Sequence, residues 1–384
     1  MLQGVNVALG VTGSIAAVKT VELAHELRRQ GANVRGVMTG SAQGIIHPWS
    51  LEYATDNPVV TEITGAVEHV ELCGYDGWAD VLLIAPATAN SVGKIAHAVD
   101  DTPVTTCATT ALGSGIPVIV APAMHEPMYD HPGVLEAIEK VESWGVHFVA
   151  PRIAEGKAKI ASEEAIVLDV ARYTTDSPLA GKHVVVTSGG TSEAVDPVRV
   201  IANRSSGKTG RAVARALFVL GADVTLVHDG PDVPYADVEQ VESAAEMLDA
   251  VRAVAGSADA LVSVAAISDY TVESSDEKIR SRQDDLSLSL VPTPKLIDTI
   301  REEFPDLTIV GFKAESNGDD AALIEKAREI LARADLSFVV ANDASVMGQD
   351  ETRALIVREH SARVFEGSKL DLGMRVAEEV AGER

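Results

Sequence analysis

Three short segments in the first half combine glycine, hydroxyl and proline residues where a strand ends. The first, Gly10-Val11-Thr12-Gly13-Ser14-Ile15-Ala16-Ala17, joins an aliphatic run to a helical stretch through Lys19 and Leu27. Backbone amides at such a helix start bind phosphate, and Thr12 and Ser14 add hydroxyls; a tight turn with an N-cap explains the same residues equally well. The second, Ala85-Pro86-Ala87-Thr88-Ala89-Asn90-Ser91, follows a buried aliphatic run and places hydroxyls and an amide where open α/β sheets bind ligands. The third, Ala121-Pro122-Ala123-Met124-His125-Glu126-Pro127-Met128-Tyr129, is stiffened by two prolines and suits a substrate clamp or a rigid surface loop.

The second half carries a longer polar series. Ser188-Gly189-Gly190-Thr191-Ser192-Glu193 is followed by Asp196-Pro197-Val198-Arg199 and by Asn203-Arg204-Ser205-Ser206-Gly207-Lys208-Thr209-Gly210. Small residues and hydroxyls stacked ahead of a helix expected over Arg211 to Leu220 could cradle a triphosphate through amides. A Walker A loop is excluded, because Ala202 stands where that motif needs its first glycine. Ala265-Ala266-Ile267-Ser268-Asp269-Tyr270 delivers a carboxylate to a strand tip, and a charged, mobile stretch is expected over Glu277-Lys278-Ile279-Arg280-Ser281-Arg282. Thr293-Pro294-Lys295-Leu296-Ile297 opens a helix, while Gly311-Phe312-Lys313-Ala314-Glu315 and Val340-Ala341-Asn342-Asp343 follow strands.

Short aliphatic runs position these segments. Strands are expected at Val5–Val11, Val34–Thr39, Val81–Ala85, Val118–Ala121, His183–Ser188, Val224–His228, Leu261–Ala265 and Thr308–Gly311. Continuous apolar runs alternating with helical stretches predict parallel sheets buried on both faces. Leu27–Val34 is echoed by Leu217–Val224: each ends a helix, turns at a glycine and enters a strand. A nucleotide-type βαβ unit therefore starts twice, and Tyr173-Thr174-Thr175-Asp176-Ser177-Pro178 marks the boundary between a domain over 1–172 and another over 180–384.

The three segments of the first half, in this order, resemble the phosphopantothenoylcysteine decarboxylase family of flavoproteins over roughly residues 4 to 165. The resemblance implies a flavodoxin-like fold and non-covalent FMN held by Gly13, Ser14, Ile15, Thr39, Pro86, Ala87, Thr88 and Asn90. It further implies oxidation at the substrate's cysteinyl thiol end, loss of CO₂ and return of the hydride. His69, in His69-Val70-Glu71-Leu72, matches the catalytic histidine, a group able to act as acid or base near neutral pH. Met124, His125 and Met128 match the substrate clamp, with His125 where the family usually has asparagine. Bacterial members carry a proton-donating cysteine after the clamp. Here the stretch is Glu155-Gly156-Lys157-Ala158-Lys159-Ile160-Ala161, without one, and Lys157 and Lys159 are expected to bind the substrate phosphate rather than donate the proton.

The second-half motifs resemble phosphopantothenate–cysteine ligase over nearly all of 180–384, and both activities fused in one chain is an arrangement the family uses, including its archaeal type. The implied fold is a second Rossmann-like α/β domain. In the implied reaction the 4′-phosphopantothenate carboxylate attacks CTP to give an acyl-cytidylate and pyrophosphate, and cysteine's amine displaces CMP. Asn203 matches the residue that handles the acyl intermediate, Lys278 the lysine closing over the reacting phosphate, and Asp269 the nucleotide-site carboxylate expected to hold Mg²⁺. Phe312, with Pro294, Lys295, Leu296 and Ile297 beside it, is expected to form the cytidine pocket; where the family has two further nucleotide-binding lysines, the helix here offers Lys326, Arg328 and Arg333, out of register. The missing cysteine motivates one alternative, a monofunctional ligase with a flavin domain that does not decarboxylate. A non-enzymatic flavoprotein regulator is opposed by the complete ligase motif set.

Composition bounds these readings. With 57 acidic against 32 basic residues the net charge is −25, a surface that repels nucleic acid and anionic membrane. Phosphate ligands must therefore be held by local devices. The acidity reads as solubility chemistry, suited to a salty cytoplasm. Two cysteines, Cys73 and Cys107, make no disulfide framework, and no Cys/His cluster has zinc spacing. No apolar run reaches the roughly 18 residues that span a bilayer, and the N-terminal residues read as a strand rather than a signal. The expected compartment is the cytoplasm. The family resemblance implies a homo-oligomer, with trimeric flavin domains and paired ligase domains.

Overall fold

Aliphatic runs with no polar face become strands covered on both sides. The computed structural model describes residues 1–154, 157–280, 286–315, 319–343 and 351–383, with side chains for all of these except 153, 154, 157, 315 and 343. The chain divides into two units, Met1–Asp176 and Ser177–Arg384.

The first unit holds a five-stranded parallel sheet. Its spatial order is Asn33–Met38, Asn6–Val11, Val81–Ala87, Val118–Pro122, His147–Phe148. Ala8, Leu82, Ile84, Val118 and Val120 share a core with Cys73, Cys107 and the helices Ala89–Ala96, Pro103–Ser114 and Pro132–Glu142. Alternation along each strand sends Val7, Leu9, Leu83 and Ile119, fully buried, to the other face. This is the flavodoxin-like order, whose switch point lies between the first and third strands of the chain. A small antiparallel sheet sits apart from it: Arg152–Ala154 pairs with Lys157–Lys159, which pairs with Met124–His125.

The second unit has eight strands. Six run parallel in the order Asp237–Gln240, Asp223–His228, His183–Thr187, Ala260–Ser263, Thr308–Glu315, Phe338–Asp343, and an antiparallel pair, Glu351–Val357 and Ala362–Ser368, extends the edge. The parallel part is the Rossmann order. The helix after the second glycine loop spans Lys208–Val219, one turn earlier than the sequence pattern suggests. Gly207, with φ of +66°, takes the left-handed conformation that ends the loop and lets Lys208, Thr209 and Gly210 enter the first turn.

Candidate functional site

Hydrogen bonds across the first switch point tie the three first-half segments together. The Thr12 hydroxyl donates to the Pro86 carbonyl at 2.8 Å, and the Thr12 N–H reaches the same oxygen at 3.3 Å. The Ser14 hydroxyl donates to the Ala123 carbonyl at 3.0 Å while accepting from the Ala16 N–H at 3.4 Å. Gly13 passes so close to the turn after the second strand that a Cβ there would lie 2.4 Å from Ser41 Cβ. The Thr39 hydroxyl caps that turn, accepting from the Ala42 N–H at 3.2 Å, and the Thr88 hydroxyl caps Ala89–Ala96 by accepting from the Ser91 N–H at 3.2 Å.

These contacts frame a cavity of about 560 Å³, lined by Gly13, Ser14, Ile15, Ala16, Val18, Lys19, Thr88, Ala123, Met124, His125, Met128, Arg152, Ala158, Lys159 and Ile160. Its wall is largely aliphatic and thioether, with hydroxyls from Ser14 and Thr88 and cations from Lys19, Arg152 and Lys159. An apolar slot with hydroxyls, amides and cations around it fits a flavin ring carrying a phosphate tail. Arg152 and Lys19 were not singled out from the sequence; Arg152 arrives on one of two paired three-residue strands, the other of which delivers Lys159 and pairs with the clamp, a unit too short to register as a pattern.

Thr39, Pro86, Ala87 and Asn90 stand outside this lining, Pro86 and Ala87 as buried strand residues and Asn90 exposed in the first turn of its helix. His69 is also outside it. It lies in the first turn of Glu68–Cys73, whose C-terminal end is held by the Trp78 N–H on the Glu71 carbonyl at 2.8 Å, and its Nδ1 is buried with no hydrogen-bond partner. The Lys157 side chain lies outside the described part. Cys73 and Cys107 are fully buried; the Cys73 side chain against Cys107, together with burial, pushes the Cys107 thiol far up, so it holds its proton.

The second site is built the same way. The Thr187 hydroxyl accepts from the N–H groups of Val264 and Ala265, both at 3.2 Å, joining the tips of neighbouring strands at the second switch point. The Asn203 amide donates to the Ala266 carbonyl at 2.8 Å, and the Ser188 hydroxyl donates to the Gly207 carbonyl at 3.0 Å. Around these bonds a cavity of about 440 Å³ is lined by the loop Asn203–Gly210, by Gly189, by Val264–Ile267 and Asp269, by Phe312, Lys313 and Ala314, and by Asn342 and Lys369. Loop amides and four cations, Arg204, Lys208, Lys313 and Lys369, face one carboxylate, Asp269, in this wall. That polarity suits a polyphosphate. Asp269 forms an ion pair with Lys295.

Asn203, Asp269 and Phe312 are thus brought to one cavity, while Lys278, Pro294, Lys295, Leu296, Ile297, Lys326 and Arg333 do not line it. Leu296 is buried in the core, with Ile297 packed against that cluster. Arg333 pairs with Asp298 at 3.1 Å on neighbouring helices. Lys278 is exposed, and the residue after it is pinned: the Ile279 N–H donates to Asp196 at 3.1 Å, and both terminal nitrogens of Arg199 donate to the Ile279 carbonyl at 3.1 Å. Ser281 and Arg282 of that stretch lie outside the described residues. Among the described residues no three His, Cys, Asp or Glu side chains cluster to hold a metal, and no helix is long and apolar enough to cross a membrane.

Comparison with known proteins follows the two units. Residues 1–175 match the family model described as Flavoprotein, and residues 179–383 the one described as DNA/pantothenate metabolism flavoprotein C-terminal domain. A protein of Thermococcus kodakarensis named coenzyme A biosynthesis bifunctional protein CoaBC is 47% identical, covering 99% of this chain and 95% of its own. Proteins of the same name from Methanocaldococcus jannaschii, 37% identical over 99% and 94%, and Bacillus subtilis, 34% over 99% and 98%, align equally fully.

Proposed function

The chain belongs to the CoaBC family of bifunctional coenzyme A biosynthesis proteins, and from that premise we propose how its residues divide the work. It carries both activities, phosphopantothenoylcysteine decarboxylase in a flavoprotein unit and phosphopantothenate–cysteine ligase in the second unit. The observation that carries the assignment of residues is the pair of cavities at the two sheet switch points, one apolar with a cationic rim, the other walled by loop amides and four cations around one carboxylate.

In the ligase cavity the loop Asn203–Gly210 and the cations beside it hold the CTP phosphates. Mg²⁺ would be held by Asp269 together with phosphate oxygens, where it neutralises charge on the chain being cleaved. Attack by the 4′-phosphopantothenate carboxylate yields an acyl-cytidylate and pyrophosphate. Asn203, fixed against the Ala266 carbonyl, keeps its second amide hydrogen and its oxygen for the acyl group while cysteine's amine displaces CMP. Phe312 lines the same wall and is placed to pack against the cytosine. Lys278, carried on a segment anchored through Ile279, supplies a cation from outside the cavity.

In the flavoprotein unit the flavin is FMN, held by Gly13, Ser14, Ile15 and Thr88. Bound there it supplies a reversible acceptor for two electrons from the substrate's thiol end. Met124, His125 and Met128 clamp the substrate; Lys159 and Arg152 bind its phosphate, Lys157 standing beside them in sequence; His69 moves the proton at the cysteinyl end. The protein acts on these small molecules in the cytoplasm as a homo-oligomer, without nucleic acid or membrane.

The deciding experiment supplies the purified chain with 4′-phosphopantothenate, cysteine, CTP, Mg²⁺ and FMN. The expected result is CO₂, pyrophosphate and 4′-phosphopantetheine in equal amounts. Accumulation of phosphopantothenoylcysteine with no CO₂ would instead favour the ligase-only alternative, which the absence of a cysteine from residues 155–161 motivates.

A further inference from the structure

Asn342 lines the ligase cavity, and neither the activation of the carboxylate nor the transfer to cysteine employs it. It stands near the end of the strand Phe338–Asp343, in Val340-Ala341-Asn342-Asp343. Its backbone is paired on both sides, with Ala314 of the parallel neighbour and with Ala354 of the antiparallel edge pair, so the ladder fixes where the side chain starts. The residue is half-buried, and its side-chain amide makes no hydrogen bond with any described residue. The other amide in this wall, that of Asn203, is already tied to the Ala266 carbonyl.

Paired residues of neighbouring strands point to the same face of a sheet, as do residues two apart along one strand. Asn342 pairs with Ala314, and Phe312 precedes Ala314 by two. Phe312, Ala314 and Asn342 therefore share a face, with only the Ala314 methyl beside the ring and the amide. Strand spacing and rise set the Cα atoms of Phe312 and Asn342 about 8 Å apart. A pyrimidine packed against Phe312 is several ångströms across, so its edge comes within reach of the amide. The cations of this wall, Arg204, Lys208, Lys313 and Lys369, suit phosphate oxygens. A neutral amide adds little for an anion, because it carries an acceptor alongside its donors. One donor and one acceptor side by side match the edge of a nucleobase.

We propose that Asn342 reads the pyrimidine edge of the nucleotide, its Oδ1 accepting from the 4-amino group of cytosine and its Nδ2 donating to N3. The proposal rests on the ligase reading given above and adds to it a residue that recognises the base rather than the phosphates. A side-chain amide can turn over, so the same residue serves uracil with its two roles exchanged. Asn342 thus binds the edge and does not by itself reject UTP.

The test uses the full-length chain with Asn342→Leu, which keeps the volume and removes both polar atoms, and with Asn342→Ala. Pyrophosphate release is measured with CTP, with the analogue lacking the 4-amino group (2-pyrimidinone ribonucleoside triphosphate) and with dCTP. Removing the amide should cost CTP roughly five- to a hundredfold in kcat/KM, mostly through KM, the range for a bidentate amide–base pair. The analogue has only N3 left to offer and should lose clearly less. The preference for CTP over the analogue, roughly threefold or more in wild type, should therefore shrink in both variants, as it does when two groups that touch are removed together. A purely structural role would lower both nucleotides alike and leave that preference intact, which would overturn the proposal. A wild-type preference below roughly threefold overturns it as well. Loss of a preference for CTP over dCTP, with the first preference unchanged, would put the amide on the ribose and count against the proposal equally. If Asn342→Leu does not fold, Asn342→Ala supplies the same ratios. A wild-type chain that releases no pyrophosphate from any nucleotide overturns the ligase reading itself, and the proposal with it.

Discussion

Asn203 shows how much one side chain can be asked to do at a strand tip. Its amide nitrogen donates to the Ala266 carbonyl at 2.8 Å, so it both ties the glycine loop to the neighbouring strand and presents its remaining polar atoms to the cavity. An aspartate is nearly the same shape, but it offers only acceptors and would set a carboxylate against a carbonyl. Asn203→Asp should therefore still bind CTP through the loop amides and release pyrophosphate, while conversion of the acyl-cytidylate to amide slows at least tenfold, about 1.4 kcal/mol in the barrier. Quenched-flow sampling with and without cysteine measures the two steps. Amide formation at the wild-type rate would remove Asn203 from the second step. The residue types at this site were readable in the sequence because they cluster in Asn203–Gly210, Ala265–Asp269 and Gly311–Glu315. Lys369 was not: a lone lysine at the start of an amphipathic helix has no pattern, and only the packing of Gly373 on Ala212 reveals where it goes. Leu296 errs the other way, since an apolar residue next to a site motif reads equally well as pocket or core, and burial assigns it to the core.

At the scale of elements, two connections hold the ligase site. The hairpin of Ser192–Asp196 and Arg199–Ala202 ends in a buried carboxylate, Asp196, which accepts from the N–H groups of Val198 at 2.8 Å, Arg199 at 2.9 Å and Ile279 at 3.1 Å, and from the Arg199 guanidinium at 2.6 Å. Burial alone would raise this carboxyl; the three amides and Arg199 outweigh it and hold it below its ordinary value. A depressed folded value means the stabilisation is complete above the unfolded carboxylate's pKa of about 3.9 and drains away as pH falls through the folded one. Asp196→Asn should lower the melting temperature of the ligase unit at pH 6, and the gap to wild type should narrow as pH drops below about 4. Melting curves from pH 7 to 3 with a constant gap would show that the carboxylate's charge does not matter. The second connection is the Gly373–Ala212 contact. An alanine there gains up to about 1 kcal/mol of helix propensity but forces a methyl against backbone, a strain of about 1–3 kcal/mol that side-chain rotation cannot relieve. Gly373→Ala should therefore be neutral to destabilising by up to about 2 kcal/mol in urea unfolding, and Gly373→Leu clearly more so, with CTP turnover falling before decarboxylation. An alanine variant more stable than wild type would mean the two helices are free to part. The eight strands expected from aliphatic runs are all present, because their burial on both faces leaves a continuous signal in sequence. Ala362–Ser368, largely exposed, and the three-residue strand through Arg152 left none, whereas Glu351–Val357 carries a buried aliphatic run, Ala354–Val357, that the expected strands did not include.

Over the whole molecule the dominant physical quantity is charge. With 57 acidic and 32 basic residues the chain carries −25, while both cavities gather cations: Lys19, Arg152 and Lys159 in one, Arg204, Lys208, Lys313 and Lys369 in the other. The acidic excess therefore lies away from the sites, where like charges repel one another and oppose compaction. Screening weakens that repulsion: the Debye length falls from about 30 Å at 0.01 M salt to about 10 Å at 0.1 M and 3 Å at 1 M. The melting temperature of both units should rise with KCl, steeply up to a few tenths molar and then level off. Added salt should act in the opposite direction on CTP, raising its KM, because the attraction between the cavity's cations and the triphosphate is screened by the same ions. The two trends separate electrostatics from general salting-out, which keeps strengthening burial at high concentration and does not single out charged ligands. Differential scanning calorimetry from 0.02 to 2 M KCl, repeated with sucrose in place of salt, measures the first trend, and pyrophosphate release over the same series measures the second. A melting temperature that ignores KCl below 0.5 M, or one that sucrose raises just as steeply, would place the origin of stability in the aliphatic cores and leave the acidic surface a matter of solubility alone.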